Sequence, residues 1–176
     1  MSSSALSVRN LSIAFGEGAT EATVVDRISF ELYPGEIVGL VGESGCGKSL
    51  TAAALMGLLP APPARIRAEH IRLGNKDLFQ LDEPGMRRIR GSEMSMIFQE
   101  PLTALDPVFT IGRQLSFVIR RHRGAGRKQT QDISLEMLGL VGIADADRIM
   151  KSYPHQLSGG MRQRVMIAMA LACRPR

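Results

Sequence analysis

Apolar residues alternate with polar or small ones in two early stretches of the chain. Leu11, Ile13 and Phe15 carry this spacing up to Gly16-Glu17-Gly18, and Ile28, Phe30 and Leu32 repeat it ahead of Pro34-Gly35. A period of two turns one face of a strand to a core and the other to water, so both stretches predict half-buried strands of an antiparallel β layer. Ile71 to Leu73, closed by Gly74-Asn75, reads as another strand and turn. Two further runs are apolar without alternation. Ile37-Val38-Gly39-Leu40-Val41 has the character of a buried parallel strand, and Met94 to Phe98 that of a compact strand running into Gln99. Leu50 to Leu59, rich in Ala, Leu and Met and stopped by Pro60, predicts a helix. Asp82-Glu83-Pro84 marks the start of a short one, with proline near its first position and acids in its first turn. From Ile111 the period becomes helical: Ile111, Leu115, Val118 and Ile119 share one face, and Ile133, Met137, Leu138 and Val141 share another. Gly124-Ala125-Gly126 separates the two.

Between the run at 37–41 and the helix at 50–59 stands Gly42-Glu43-Ser44-Gly45-Cys46-Gly47-Lys48-Ser49, which fits G-x-x-x-x-G-K-[ST], the phosphate-binding loop. Glycines let the backbone curl so that successive N–H groups point at phosphate oxygens. Lys48 is placed to reach the β- and γ-phosphates and the Ser49 hydroxyl to hold Mg²⁺. A helix opening at about Lys48 directs the positive end of its dipole at the same anion. A chance match in a chain of this length has a probability of about half a per cent at ordinary residue usage. Strand, loop and helix also occur in the required order, so nucleoside triphosphate binding is expected.

A second candidate anion site lies at Leu157-Ser158-Gly159-Gly160-Met161-Arg162-Gln163-Arg164. Ser158 is a good helix cap, and the two glycines leave backbone N–H groups open at a helix N-terminus. Behind them Met161, Val165, Ala168, Met169 and Ala172 fall on one helical face. A capped helix after a glycine turn is common; its pairing with the loop at 42–49 makes it specific.

With both motifs in view the chain resembles the ATP-binding subunits of ABC transporters, whose signature is LSGGQ; here the five residues are Leu157-Ser158-Gly159-Gly160-Met161. Met in place of Gln is familiar in the oligopeptide and dipeptide importer branch. That branch is also resembled by Val41 to Ser49, by Phe98-Gln99-Glu100-Pro101 with Leu105-Asp106-Pro107, and by Tyr153-Pro154-His155-Gln156. The resemblance runs from about Leu6 to Arg176. It implies an α/β fold: a P-loop NTPase core of the ABC ATPase kind with an antiparallel β layer and an inserted α-helical subdomain. The β layer and phosphate-loop core would occupy 6–99, the helical subdomain 100–157 and the signature helix 158–176, within a partial ATP-binding domain over 6–176.

The resemblance further implies a nucleotide-binding set of Phe15, Gly42, Glu43, Ser44, Gly45, Cys46, Gly47, Lys48, Ser49, Leu50, Ser158, Gly159, Gly160 and Met161. Phe15 matches the aromatic residue that stacks on adenine, a core strand position being the lesser alternative. Gln99 matches the glutamine that senses Mg²⁺ and the γ-phosphate and relays to membrane subunits. Lys48 and Gln99 would carry the catalytic roles, and Ser49 and Gln99 the metal contacts, with ATP and Mg²⁺ as cofactors. In this family two ATPase subunits face each other head to tail, so Ser158, Gly159 and Gly160 would clamp the γ-phosphate of the partner's ATP. Transmembrane permease subunits are the other expected partners, with a solute-binding protein indirectly. His155, Glu43 and Glu100 invite assignment as acids or bases, but the resemblance gives none of them that role. In the family an apolar strand ending Asp-Glu follows the signature helix, the Glu polarising the attacking water. The chain closes at Ala170 to Arg176 without it, so the C-terminal part of the fold is expected to be missing. This polypeptide alone is expected to hydrolyse ATP no faster than background and to have low solubility or molten behaviour.

Composition narrows the alternatives. A chain of 176 residues, 44% hydrophobic and 22% charged, is an ordinary globular domain with a formal charge of +5. Much of the excess sits in Arg113, Arg120, Arg121, Arg123, Arg127 and Lys128, in a stretch without acids. Such a stripe suits nucleic acid, an anionic membrane surface or a solvated helix face, and the last is the ordinary case; no nucleic-acid partner is expected. Two cysteines, Cys46 and Cys173, make neither a disulfide framework nor a metal cluster and suit a reducing cytoplasm. The start lacks the pattern of a secretion signal. The longest uncharged run, Ser49 to Ala64, is too short to span a membrane and contains Pro60, Pro62 and Pro63. A peripheral place on the cytoplasmic face of the cell membrane follows from the expected partners. The favoured reading is an energising subunit of an importer, of peptides by branch resemblance. Its rivals are a non-catalytic truncated fragment and a soluble ABC-type ATPase of DNA repair or chromosome maintenance. The latter kind carries a very long coiled coil between its glutamine and signature motifs, whereas the segment from Gln99 to Ser158 shows no sustained heptads.

Overall fold

The computed structural model describes residues 4–99 and 104–175. The chain divides into two compact units, residues 1–87 and 88–176.

The first unit is built on β1 (Leu6–Phe15), which carries a neighbour along each edge. On one side it pairs antiparallel with β2 (Ala22–Leu32), from Leu6 opposite Leu32 to Phe15 opposite Ala22. Its other edge is shared by β3 (Ala64–Arg67), opposite Ser12 to Phe15, and β4 (His70–Leu73), opposite Leu6 to Arg9. A two-residue β5 (Lys76–Asp77) adds to β4 across the Gly74-Asn75 turn. The alternation read from the sequence does what it predicts: Leu11 and Ile13 are fully buried, and Phe15, Ile28, Phe30 and Leu32 are half-buried. β3 is the strand that the sequence pattern does not announce, because Ala64-Arg65-Ile66-Arg67 offers one large apolar side chain. Two helices accompany the strands: α1 (Lys48–Leu55), placed in the chain between β2 and β3, and α2 (Glu83–Ile89), which begins where Asp82 accepts a hydrogen bond from the Gly85 N–H at 2.8 Å.

Three expectations fail here, in whole or in part. Ile37 to Val41 forms no strand; Ile37 is 99% and Val41 93% exposed. A parallel strand buried on both faces needs a partner along its edges, and none of the described residues pairs with this segment; the five named strands are all antiparallel. Met94 to Phe98 fares similarly. Met94 makes an isolated bridge to Arg90, the following residues have no strand partner among the described residues, and Ile97 and Phe98 are exposed. The helix expected over 50–59 stops at Leu55. Gly57 takes a positive φ of 60° and donates to the Ala54 carbonyl, while the Leu58 N–H reaches that of Ala53. These crossed bonds satisfy the last carbonyls of the helix before Pro60 can act.

The second unit is helical: α3 (Ile111–Arg123), α4 (Arg127–Leu140), α5 (Ala146–Lys151) and α6 (Gly159–Leu171). Ile111, Leu115 and Ile119 of α3 meet Ile133, Met137 and Leu138 of α4, Ile149 of α5, and Val165, Ala168 and Ala172 of the last segment in one buried core. Val141, expected on the apolar face of α4, lies half-buried at the margin of that core, and Val118 of α3 is half-buried. α5 is too short to show a period and went unpredicted; Asp145 caps it, accepting from the Arg148 N–H at 3.3 Å and from Arg148 Nε at 2.8 Å. That pair holds the Asp145 carboxyl below the usual carboxylate range. α3 and α5 approach closely at Gly112, where a Cβ would lie 2.7 Å from the Met150 carbonyl oxygen.

Candidate functional site

The glycine loop at 42–49 follows the exposed segment 37–41 and feeds directly into α1. Gly47 caps that helix with φ 90°, a left-handed value that residues with a side chain rarely adopt. The space is also closed: a Cβ there would stand 2.6 Å from Val25 Cγ2 of β2. Thr51, nearly fully buried, donates both its N–H (2.8 Å) and its hydroxyl (3.0 Å) to the Gly47 carbonyl. Val25 and Thr51 therefore seat the loop against the β layer, and neither belongs to the motif.

Lys48 folds back over the loop. Its ammonium donates to the carbonyl oxygens of Gly42 at 2.8 Å and Glu43 at 2.6 Å and lies 3.4 Å from Cys46 Sγ. The cation thus stands at the mouth of the curl formed by 42–47, with Ser49 and Leu50 on the first turn of α1. Ser49 is exposed, and its hydroxyl makes no side-chain hydrogen bond among the described residues. Phe15 ends β1, half-buried, opposite Ala22 and Ala64. Glu43, Ser44, Gly45 and Cys46 are exposed along the loop.

In the second unit Ser158 caps α6 as expected, its hydroxyl accepting from the Met161 N–H at 3.3 Å. The hydroxyl proton remains available to donate. Gly159 and Gly160 face open space, where a Cβ would meet nothing within 4 Å. Leu157, 4% exposed, anchors the turn in the helical core, and Arg162 Nε donates to its carbonyl at 2.9 Å. Met161 is half-buried. Gln99 is exposed, while Glu100 and Pro101 of the same motif lie outside the described residues. Downstream, Gln114 clasps the loop at Asp106: its amide Oε1 accepts from the Asp106 N–H at 3.0 Å, and its Nε2 donates to the carbonyls of Asp106 and Phe109, both at 2.9 Å. His155 stacks on Tyr153 with ring centroids 5.6 Å apart, a packing role.

Comparison with known proteins turns these turns into a lineage. The ABC transporter family profile matches residues 25–176, most of the chain. This chain belongs to the ABC transporter family. It is 47% identical over 171 residues to the dipeptide transport ATP-binding protein DppD of Haemophilus influenzae, covering 97% of this chain and 52% of that protein. It is 49% identical over 170 residues to DppD of Bacillus subtilis, covering 97% of this chain and 51% of the relative. The chain thus spans about half the length of these curated ABC relatives. Among solved structures it is similar to the ATP-binding cassette MJ0796, determined as a dimer in a post-hydrolysis state bound to ADP and Pi. The TM-score is 0.82 at 25% identity, over 97% of this chain and 70% of the other. The α/β fold is therefore that of the ABC ATPase cassettes, with the antiparallel layer and the helical part in the expected order. Among the described residues no helix is long and apolar enough to cross a membrane.

Proposed function

We propose that this chain is the nucleotide-binding portion of an ATPase subunit that drives an ABC importer of peptides. The observation that carries the reading is the presence in one chain of two exposed glycine turns, at 42–49 and at 158–161, each opening a helix, in a member of this family. Lys48 and the loop amides hold the β- and γ-phosphates, and Phe15 stacks on adenine. Ser158, Gly159, Gly160 and Met161 offer the second cradle to the nucleotide of a head-to-tail partner ATPase. The dimeric state of the MJ0796 cassette supports that arrangement. The free hydroxyl of Ser49 and the exposed amide of Gln99 are hard oxygen donors of the kind Mg²⁺ takes, and the ion would supply charge neutralisation at the phosphates. Gln99 and the loop after it transmit the nucleotide state to permease subunits, which receive peptide from a solute-binding protein.

Peptide as cargo rests on the names of the dipeptide-transport relatives. A soluble ATPase of chromosome maintenance is disfavoured, since α3 and α4 are 13 and 14 residues long and pack into a compact core in place of a coiled coil. Disruption of the gene in its own cell tests the reading. Uptake of labelled dipeptide should fall while uptake of a labelled sugar is unchanged; equal loss of both, or of neither, overturns it.

A further inference from the structure

The basic stripe noted in the sequence becomes, in the helical unit, a surface of defined shape. Arg113 and Arg120 of α3, Arg127 at the start of α4 and Lys151 at the end of α5 line one open depression of about 570 Å³, which no carboxylate lines. A neighbouring hollow of about 460 Å³ continues it past Phe117 and Arg121. None of these cations makes an ion pair among the described residues. Arg113 alone has a partner of another kind, lying 4.2 Å from the centre of the Phe109 ring.

Helix electrostatics account for part of the charge and leave the rest unexplained. Arg120, Arg121 and Arg123 stand in the last turn of α3, where a cation complements the dipole. Arg113 is in the first turn of α3, and Arg127 opens α4. Both sit at the end of a helix that prefers an anion, on the same side as the others. Four cations gathered without counter-charge, two of them (Arg113 and Arg127) against that preference, form a surface suited to an external array of anions.

Shape and apolar content indicate which array. The depression is wide and shallow, so it does not enclose a single phosphate. Phe117, 73% exposed, rises among Arg113, Arg120 and Arg121. Large apolar side chains between arginines suit the boundary of headgroup and acyl chain, where cations meet phosphates and rings enter the edge of the hydrocarbon. We propose that this face of the helical unit docks on a membrane surface rich in anionic phospholipid headgroups. The inference rests on no part of the transport reading.

Vesicle flotation of the 176-residue chain tests it, with phosphatidylcholine vesicles compared with vesicles that also contain phosphatidylglycerol. Binding should rise at least tenfold with phosphatidylglycerol and fall steeply with added salt. Each cation near the surface contributes about fivefold, so Arg120→Glu/Arg127→Glu should lose at least about 25-fold of the anionic-lipid component. Both side chains are exposed and unpaired, and circular dichroism should show the helices unchanged. Arg9→Glu/Arg72→Glu, exposed in the first unit, matches the change in net charge and should bind like the wild type. Equal binding to both vesicle types overturns the proposal, as does equal loss in the two double variants. Competition by inorganic phosphate or glycerol phosphate at millimolar concentration would assign the depression to a soluble anion instead. Tighter binding to a single-stranded oligonucleotide than to the vesicles at the same salt would assign it to nucleic acid, and either result also overturns the proposal.

Discussion

The ammonium of Lys48 lies 2.8 Å from the carbonyl oxygen of Gly42, six residues earlier at the first glycine of the loop. A second bond to the Glu43 carbonyl makes the residue a brace for the loop, beside the phosphate-binding role proposed for it. Lys48→Ala should therefore act twice. Charge-assisted hydrogen bonds of this kind are worth about 1.5–3 kcal/mol, so affinity for a fluorescent ATP analogue should fall about 10- to 100-fold. The loop should also become a preferred site of limited proteolysis without nucleotide. A variant that loses affinity but resists protease as the wild type does would remove the bracing role.

Gly47 has two independent reasons to be glycine, its φ of 90° and the closeness of Val25 Cγ2. Gly47→Ala should destabilise the first unit by about 1–3 kcal/mol and abolish analogue binding. Adding Val25→Ala removes the collision but not the strain, so it should recover only part of the loss. Denaturant titration of the single and double variants measures both.

Gly112 permits the approach of α3 to α5. A methyl group there would meet the Met150 carbonyl oxygen at 2.7 Å and Met150 Cε at 2.9 Å. Because the nearer atom is backbone, the helices must part, and Gly112→Ala should cost the helical unit about 1–3 kcal/mol. Hydrogen exchange at the amides of α3 and α5 should speed up, while β1 and β2 keep their protection.

His122 is partly buried, its ring set against Gly91, where a Cβ would lie 2.8 Å from Nε2. Burial, with a lesser contribution from Arg121, pushes the imidazole below its ordinary value near 6.5. The folded form thus prefers the neutral ring, and the unfolded chain takes up a proton first as the pH falls. The stabilisation from this group is complete above about pH 6.5 and is lost as the pH drops through that value toward the lowered folded one. The denaturant midpoint of the helical unit should decline between about pH 7.5 and about pH 5.5. His122→Gln should flatten that decline; an unchanged slope would reassign it to other groups.

The exposed apolar segment 37–41 should make this polypeptide self-associate. Ile37→Thr/Val41→Thr keeps β-branched residues while removing apolar surface, and should lower light scattering at equal concentration. If scattering stays the same, the association arises elsewhere.

Local chemistry was the legible part of this chain. Leu11 and Ile13 declare their face by alternation, Ile111 and Leu115 by helical spacing, and Ser158 by its capping hydroxyl, because each feature depends on neighbours within a few residues. Ile37 to Val41 and Met94 to Phe98 have the composition of core strands, but a strand exists only through its partners, and composition does not supply them. The glycine loop was readable as a motif; its seating by Val25 and Thr51 was not, since a contact between β2 and the loop leaves no local pattern. The spacing of the two halves of the helical unit hangs on Gly112 in the same way, through a close approach that only three dimensions reveal.

That approach has an electrostatic corollary. Arg113 follows Gly112, and Lys151 follows Met150, so the seam where hydrogen replaces a methyl group fixes how far apart two positive charges stand. A bulkier residue at the seam would change the width of the charged face without altering a single ionisable group. Packing, through one absent carbon, acts here as the ruler for a pattern of charge.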